Sequence, residues 1–354
     1  ITDNISWPWI FYINVPVGLV AAFATWGIFR SRDTGMRRVP IDRIGLALLV
    51  LWVGSLQMML DLGKEHDWFD SGLIIGLAVV AAVGFAYFLI WELTEAHPVV
   101  ELRLFARRNF WAGTMATSIA YALFFGNVVL VPLWLQQFMG YTATDAGMVT
   151  APVGLLALVL SPIVGRTVSR VDPRRYATLA FAIFALVLWM RSNFNTQADF
   201  NTILLPTVIQ GIAVALFFIP LMTLTMSGLT PDRMPAASGL TNFVRITAGA
   251  LGTSVSTTMW ESRAAMHHAH LAEALHAGSP AAQSVLAGLQ ASGLSAQQAL
   301  AQVNRLVDQQ AFMLAANDIF WASSLIFLLL IPLVWLTRAP QPGRAGGAET
   351  AAAH

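Results

Sequence analysis

The sequence predicts an all-α integral membrane protein, and three observations carry that prediction. Nine long apolar stretches are strung along the 354 residues. Only 11% of residues are charged, against about a quarter in soluble domains. The basic residues fall almost entirely on alternate connecting segments. A hydrocarbon core about 30 Å thick takes roughly 20 apolar residues of helix to cross. Backbone N–H and C=O groups find no water there, so a spanning segment is a helix or part of a closed barrel. Barrel strands alternate polar and apolar residues. Residues 72–91 (GLIIGLAVVAAVGFAYFLIW) do not.

The first expected span, 10–29, follows a short polar start at Ile1. Starting on an outside-to-inside span is unusual, so N-terminal sequence is expected to be missing. The basic segment Arg30–Arg43 leads into a second span, 44–62. The polar turn Gly63–Ser71, with Trp68 and Phe69 at the interface, leads into a third, 72–91. In Ala96–Asn109, Val99, Val100, Leu102, Leu104 and Phe105 interleave with Glu101, Arg103, Arg107 and Arg108. That pattern predicts a short amphipathic segment on the inner leaflet.

Six further spans are expected at 110–135, 146–165, 174–190, 202–226, 236–260 and 312–337. Several are rich in Gly, Pro, Ser and Thr. Small residues let membrane helices approach closely. Pro132, Pro152, Pro162, Pro206 and Pro220 can bend helices whose neighbours re-satisfy the backbone. Bent helices of this kind are frequent around midplane transport sites; a static bundle bent only for packing is the alternative. The one long loop, 261–311, is rich in Ala and Gln. Glu261–His276 reads as a helical continuation of the eighth span. Ser295 and Gln298 have the spacing of a capping box, starting a helix that runs into the last span. Together they predict a helical hairpin.

Orientation follows from Lys and Arg, which stay on the cytoplasmic side. With the N-terminus outside, the inside segments carry Arg30, Arg32, Arg37, Arg38, Arg43, Arg103, Arg107, Arg108, Arg166, Arg170, Arg174, Arg175, Arg233, Arg338 and Arg344. The outside segments carry Lys64, Arg191, Arg263 and Arg305. The ratio is fifteen to four, and the opposite orientation inverts it. The C-terminus is therefore expected in the cytoplasm. Since topology accounts for the basic residues, they give no reason to expect a nucleic-acid partner. The chain has no Cys, which excludes disulfides and thiolate metal sites.

Ionisable groups inside a membrane are costly and usually functional. Arg245 lies mid-span in Gly239–Gly252 (GLTNFVRITAGALG), so it must face a wet cavity or a polar partner. Asp318, near the start of the final span, is the nearest acid by span order; a carboxylate outside this chain is as good a partner. Asn127, Gln210, Thr241 and Asn242 either line the same cavity or make interhelical hydrogen bonds. Arg245, Asp318, Asn242, Asn127 and Gln210 are the candidate substrate and proton pathway. Asp61 and Glu92 end the second and third spans and read as interfacial. His267, His268, His270 and His276 cluster beyond the eighth span. No Cys or adequate set of acids completes a metal site, and a solvated helix face is expected. Enzyme signatures such as G-x-S-x-G, H-E-x-x-H or a P-loop are absent from the sequence.

Several segments resemble EmrB-type multidrug efflux proteins, in the fourteen-span drug:proton antiporter branch of the major facilitator superfamily. They are Trp7–Gly18 (WPWIFYINVPVG), Leu60–Ser71 (LDLGKEHDWFDS), Pro98–Phe110 (PVVELRLFARRNF), Met139–Pro152 (MGYTATDAGMVTAP) and Asn242–Gly252 (NFVRITAGALG). Met259–Glu273 (MWESRAAMHHAHLAE) and Ala316–Trp321 (ANDIFW) are the most specific. The resemblance implies a major facilitator fold with nine of fourteen spans present. Residues 1–30 would close the first six-helix half, and 31–109 would be a cytoplasmic loop and two linker helices. Residues 110–338 would be the second half, with a periplasmic hairpin at 261–311, and 339–354 a disordered cytoplasmic tail.

A degenerate copy of the branch's loop motif matches Gly165–Arg175 (GRTVSRVDPRR), with Ser169 where the motif has Asp. Gly165, Arg170, Asp172, Arg174 and Arg175 become candidates for a conformational role. The resemblance further implies export of hydrophobic toxic compounds, driven by protons and without a cofactor, from a multi-pass protein of the bacterial inner membrane. It implies a periplasmic adaptor of the EmrA type, with His267, His268 and His270 as candidate contacts, and an outer-membrane channel of the TolC type. A sugar or peptide facilitator of the same fold, an exporter without an adaptor, a membrane enzyme and a structural subunit are the competing readings.

Overall fold

A computed structural model describes Ser6 and residues 8–30, 42–275 and 279–338. Arg32, Arg37, Arg38, His276, Arg344 and the tail 339–354 lie outside the described residues, with the expectations that fell on them. The described residues form helices and short turns, with no strand among them. The chain divides into two units at Asp42/Arg43.

The first unit holds α1 (Trp9–Tyr12) and α2 (Asn14–Phe29). The Asn14 side chain donates to the Ile10 carbonyl across their junction. Their residues are mostly apolar, as expected of a helix whose solvent is lipid.

The second unit holds the other ten helices. They are α3 (Arg43–Leu62), α4 (Gly72–Thr94), α5 (Arg108–Phe138), α6 (Ala143–Thr150), α7 (Pro152–Thr167) and α8 (Pro173–Arg191). The remainder are α9 (Phe200–Met226), α10 (Met234–Ala274), α11 (Pro280–Ala291) and α12 (Ala296–Trp335). Several of the starts are capped by their own side chains. Thr142 with Asp145 and Ser295 with Gln298 form capping boxes, while Asp172 and Asp199 cap α8 and α9. The hairpin expected from the sequence is present as the outer part of α10, α11 and the start of α12. Five prolines are absorbed inside helices among the described residues: Pro132 in α5, Pro162 in α7, Pro206 and Pro220 in α9 and Pro332 in α12.

The expected span count is corrected. Among the described residues seven helical segments, not nine, are long and apolar enough to cross a membrane. The two that fall short are α8 and α10. Helix α8 carries Arg174, Arg175 and Arg191 within 19 residues and buries one face against α9 and α12. Helix α10 is diluted by Gly, Ser, Thr, Asn242 and Arg245 and packs along α5 and α12. A helix screened from lipid by its neighbours needs less hydrophobicity than an exposed one.

The main core is built where α5, α8, α9 and α12 meet. Phe184 stacks on Phe327 at 4.9 Å and meets Phe217 edge-on at 5.8 Å. Helix α5 lies hard against α10. A Cβ built on Gly252 would stand 2.2 Å from the Ala122 carbonyl oxygen, and one on Gly126 would stand 2.2 Å from Ser256 Oγ. Glycine is what allows this approach. Residues 96–109 do not lie free as an amphipathic segment. They hold a short 3-10 turn, Leu102–Ala106, whose Leu104 is fully buried with Phe110, Ala237 and Leu240. Glu92, expected at the interface, is also buried and accepts the Val100 N–H at 2.9 Å.

Candidate functional site

Helices α5, α9 and α10 enclose a cavity of about 680 Å³. It is lined by Thr117 of α5, by Phe218, Ile219, Met222 and Thr223 of α9, and by Ser238, Gly239, Thr241, Asn242 and Arg245 of α10. On α5 it lies between two close contacts. At one, Gly252 and Gly126 bring α10 in; at the other, Gly113 meets Thr225 of α9.

Asn242 and Arg245 are three residues apart and so share a helix face. The Arg245 guanidinium donates to Asn242 Oδ1 at 2.6 Å. Its Cζ sits 4.8 Å from the centre of the Tyr121 ring and 5.7 Å from that of Phe218. Its Nε is buried with no hydrogen-bond partner among the described residues. No carboxylate lines the cavity. The cation is held by two aromatic faces and an amide, and a cation–π contact open to solvent on one side contributes about 0.5–1 kcal/mol.

The other candidates fall elsewhere. Asp318 does not pair with Arg245. It accepts from His267 Nε2 at 2.9 Å, with Arg263 Nε at 3.9 Å. Arg263 stands 18 residues beyond Arg245 on α10, about 27 Å of helix, which puts one carboxylate out of reach of both. Asn127 is buried and donates to the Leu123 carbonyl at 2.7 Å and to Ser323 Oγ at 3.1 Å, tying α5 to α12. Gln210 accepts from Arg191 at 2.7 Å, tying α9 to α8. Neither lines the cavity. The sequence counted Arg191 as an outside loop residue; it is 2% exposed, with Gln210 and Thr207 as its partners. Tyr121, Phe218 and Met222 were missed, because an aromatic or Met on an apolar helix looks the same whether it faces a neighbour or a cavity.

The loop between α7 and α8 is built around one ion pair. Arg174 holds the Asp172 carboxylate in two-point fashion, at 3.0 and 2.7 Å. It also donates to the Thr337 carbonyl at 3.3 Å and lies 4.9 Å from the Trp335 ring. Hydrogen bonding to Arg174 holds the Asp172 carboxyl below its ordinary value. The Tyr176 hydroxyl donates to Thr167 at 2.7 Å, closing the turn. Two candidates of this motif, Asp172 and Arg174, thus join the loop to the end of α12. Gly165, Arg170 and Arg175 are exposed.

In the hairpin, His267 is turned onto Asp318, and His268 meets Asn304 at 3.1 Å and Asp308 at 3.4 Å. His270 is exposed. Among the described residues no three His, Asp or Glu side chains converge as metal ligands.

Long apolar helices around a cavity with a cation and hydroxyls in its wall are the architecture of a membrane transport protein. The chain belongs to the Major Facilitator Superfamily, whose family model matches residues 1–253. It is 47% identical to the multidrug export protein EmrB of Escherichia coli over 348 residues, 98% of this chain and 68% of that protein. It is 42% identical to the fatty acid resistance protein FarB of Neisseria gonorrhoeae, again over 98% of this chain and 68% of that protein. A solved structure of a bacterial homolog to the human lysosomal transporter Spinster, inward-facing and occupied, matches 82% of this chain and 64% of its own at a TM-score of 0.50 and 16% identity. That likeness speaks for the fold alone. The chain spans about two thirds of the length of these relatives.

Proposed function

We propose that this chain exports hydrophobic toxic compounds across the bacterial inner membrane in exchange for protons, with its C-terminus in the cytoplasm. It works with a periplasmic adaptor and an outer-membrane channel, and it carries out no chemical conversion of its substrate. The observation that carries the reading is the cavity around Arg245. Its volume lies in the range of sites for drug-sized molecules. Its walls are mostly apolar, with aromatic faces on one side and a few hydroxyls and an amide on the other. The likeness to proteins named for multidrug export and fatty acid resistance supports the substrate class. The helical hairpin α10–α11–α12 is the element offered to the adaptor.

The test is transport of the neutral dye N-phenyl-1-naphthylamine in proteoliposomes, read together with the internal pH. Wild type should move dye and protons in opposite directions. Arg245→Ala should lose both, and Arg245→Lys should recover part, because Lys keeps the charge but not the planar stacking face. Dye movement without proton movement would remove the antiport; unchanged transport in Arg245→Ala would remove the cavity.

A further inference from the structure

The cavity does not end at α10. Gly239 and Asn242 form part of its wall and also line a second space, about 590 Å³, between α10 and α3. Along α3 this seam is walled by Val53, Gly54, Leu56, Gln57 and Leu60. On α10, Phe243, Ile246, Thr247 and Ala250 face them. Both sets recur at three- and four-residue steps, so each belongs to one helix face. Only Gln57, Asn242 and Thr247 bring polar side chains to it.

Gln57, Leu60 and Ala250 then pass the seam into a third space of about 330 Å³, lined by Asp61, Lys64, Thr253, Ser254, Thr257 and Thr258. The three spaces share walls in sequence: a mixed lining around Arg245, an apolar middle and a polar far end. The far end is crossed by the ion pair of Lys64 and Glu261 at 2.5 Å. The two side chains are 55% and 40% exposed, and exposed pairs of this kind contribute about 0–1 kcal/mol. Such a closure opens easily.

We infer that the seam between α3 and α10 is the route by which an apolar substrate passes between the central cavity and the Lys64–Glu261 end. Helix α3, which the resemblance would make a linker helix, thereby forms a wall of the transport path instead of a spacer. The inference rests on the export reading given above. The occupant is the exported compound itself. Its apolar body matches the middle of the seam, and its polar group is met by the hydroxyls, Asp61 and Lys64 as it leaves. Wall sharing through Gly239 and Asn242 is what ties the seam to the cavity rather than to lipid at large.

Two glycines make the test clean. A Cβ on Gly54 meets nothing within 4 Å, and the same holds for Gly76 on α4, which lies off the seam. Gly54→Trp therefore starts a bulky side chain in open space on the wall of the passage, and Gly76→Trp is the matched control. N-phenyl-1-naphthylamine is the probe, its binding read by fluorescence in purified protein and its transport in proteoliposomes. Gly54→Trp should slow transport about tenfold, equivalent to about 1.4 kcal/mol on the barrier, with binding unchanged and Gly76→Trp like wild type. Should Gly54→Trp not reach the membrane, Ile246→Trp blocks the same space from α10. Wild-type transport in the blocked variants would overturn the seam and leave the export reading standing. Loss of binding together with transport would also overturn it, since the substitution would then have acted on the cavity. No transport of the probe by wild type would overturn the reading beneath both.

Discussion

Gly252→Ala is the most economical test of how α5 and α10 are joined. The added methyl carbon would stand 2.2 Å from the Ala122 carbonyl oxygen and 2.5 Å from its carbonyl carbon and Cα. All three are main-chain atoms, so no rotamer change relieves the overlap. Even a close C···O contact needs about 3.3 Å, so the helices must part by about 1 Å. A gap of that size forfeits roughly a quarter to a half of each dispersion contact along the seam, and overpacking of this kind costs about 1–3 kcal/mol. Against it stands the helical preference of Ala over Gly, about 1 kcal/mol. Gly76→Ala in α4 isolates that second effect, because its new methyl meets open space. At roughly 2 °C per kcal/mol for a chain of this size, Gly252→Ala should melt below wild type in detergent and Gly76→Ala at or above it. A Gly252→Ala protein melting with Gly76→Ala would show that α5 and α10 are not packed at this separation.

Four further outcomes are expected. Asp172→Asn should lower the melting temperature at neutral pH. The native carboxyl lies below its unfolded value because of Arg174, so its contribution is present above the unfolded pKa and fades as pH falls through the native value; the two proteins should converge below about pH 4. Ser295→Ala removes a capping box worth about 1 kcal/mol, and should speed amide exchange in the first turns of α12 while leaving Trp335 unaffected. Asn127→Ala strands Ser323, and should cost about 1–3 kcal/mol, whereas the pair replaced together by apolar residues should recover most of it. In this Cys-free chain, Ser292→Cys should react with an impermeant thiol reagent on intact cells and Ser169→Cys should not; the reverse labelling would invert the topology.

Much of the helical layout was legible because membrane spans announce themselves locally. Residues 72–91 need no knowledge of a neighbour to be read as a helix, and the Ser295–Gln298 box is a signal contained in four residues. The count failed at α8 and α10 for the opposite reason. Their polarity is tolerated by packing against other helices, which a window of sequence does not contain. The site divides the same way. Asn242 and Arg245 share a helical turn, so their pairing was accessible from spacing. The partners of Asp318, Asn127 and Arg191 lie on other helices, and span order pointed Asp318 to the wrong arginine. Tyr121 and Phe218 carried no signal at all, since stacking against a cation depends on where three helices meet.

Helix α10 runs unbroken for 41 residues, about 60 Å. Asn242 and Arg245 sit near one end, His267 and His268 near the other. A rod of that length is a mechanical amplifier. If α10 pivots where Gly252 meets α5, a tilt of about 5° moves its cavity-lining residues by about 1–2 Å and swings the hairpin end by about 2–3 Å over its roughly 30 Å arm. A shift of the cavity walls would thereby be expressed as a larger displacement at a surface far from it, without any change of fold in between.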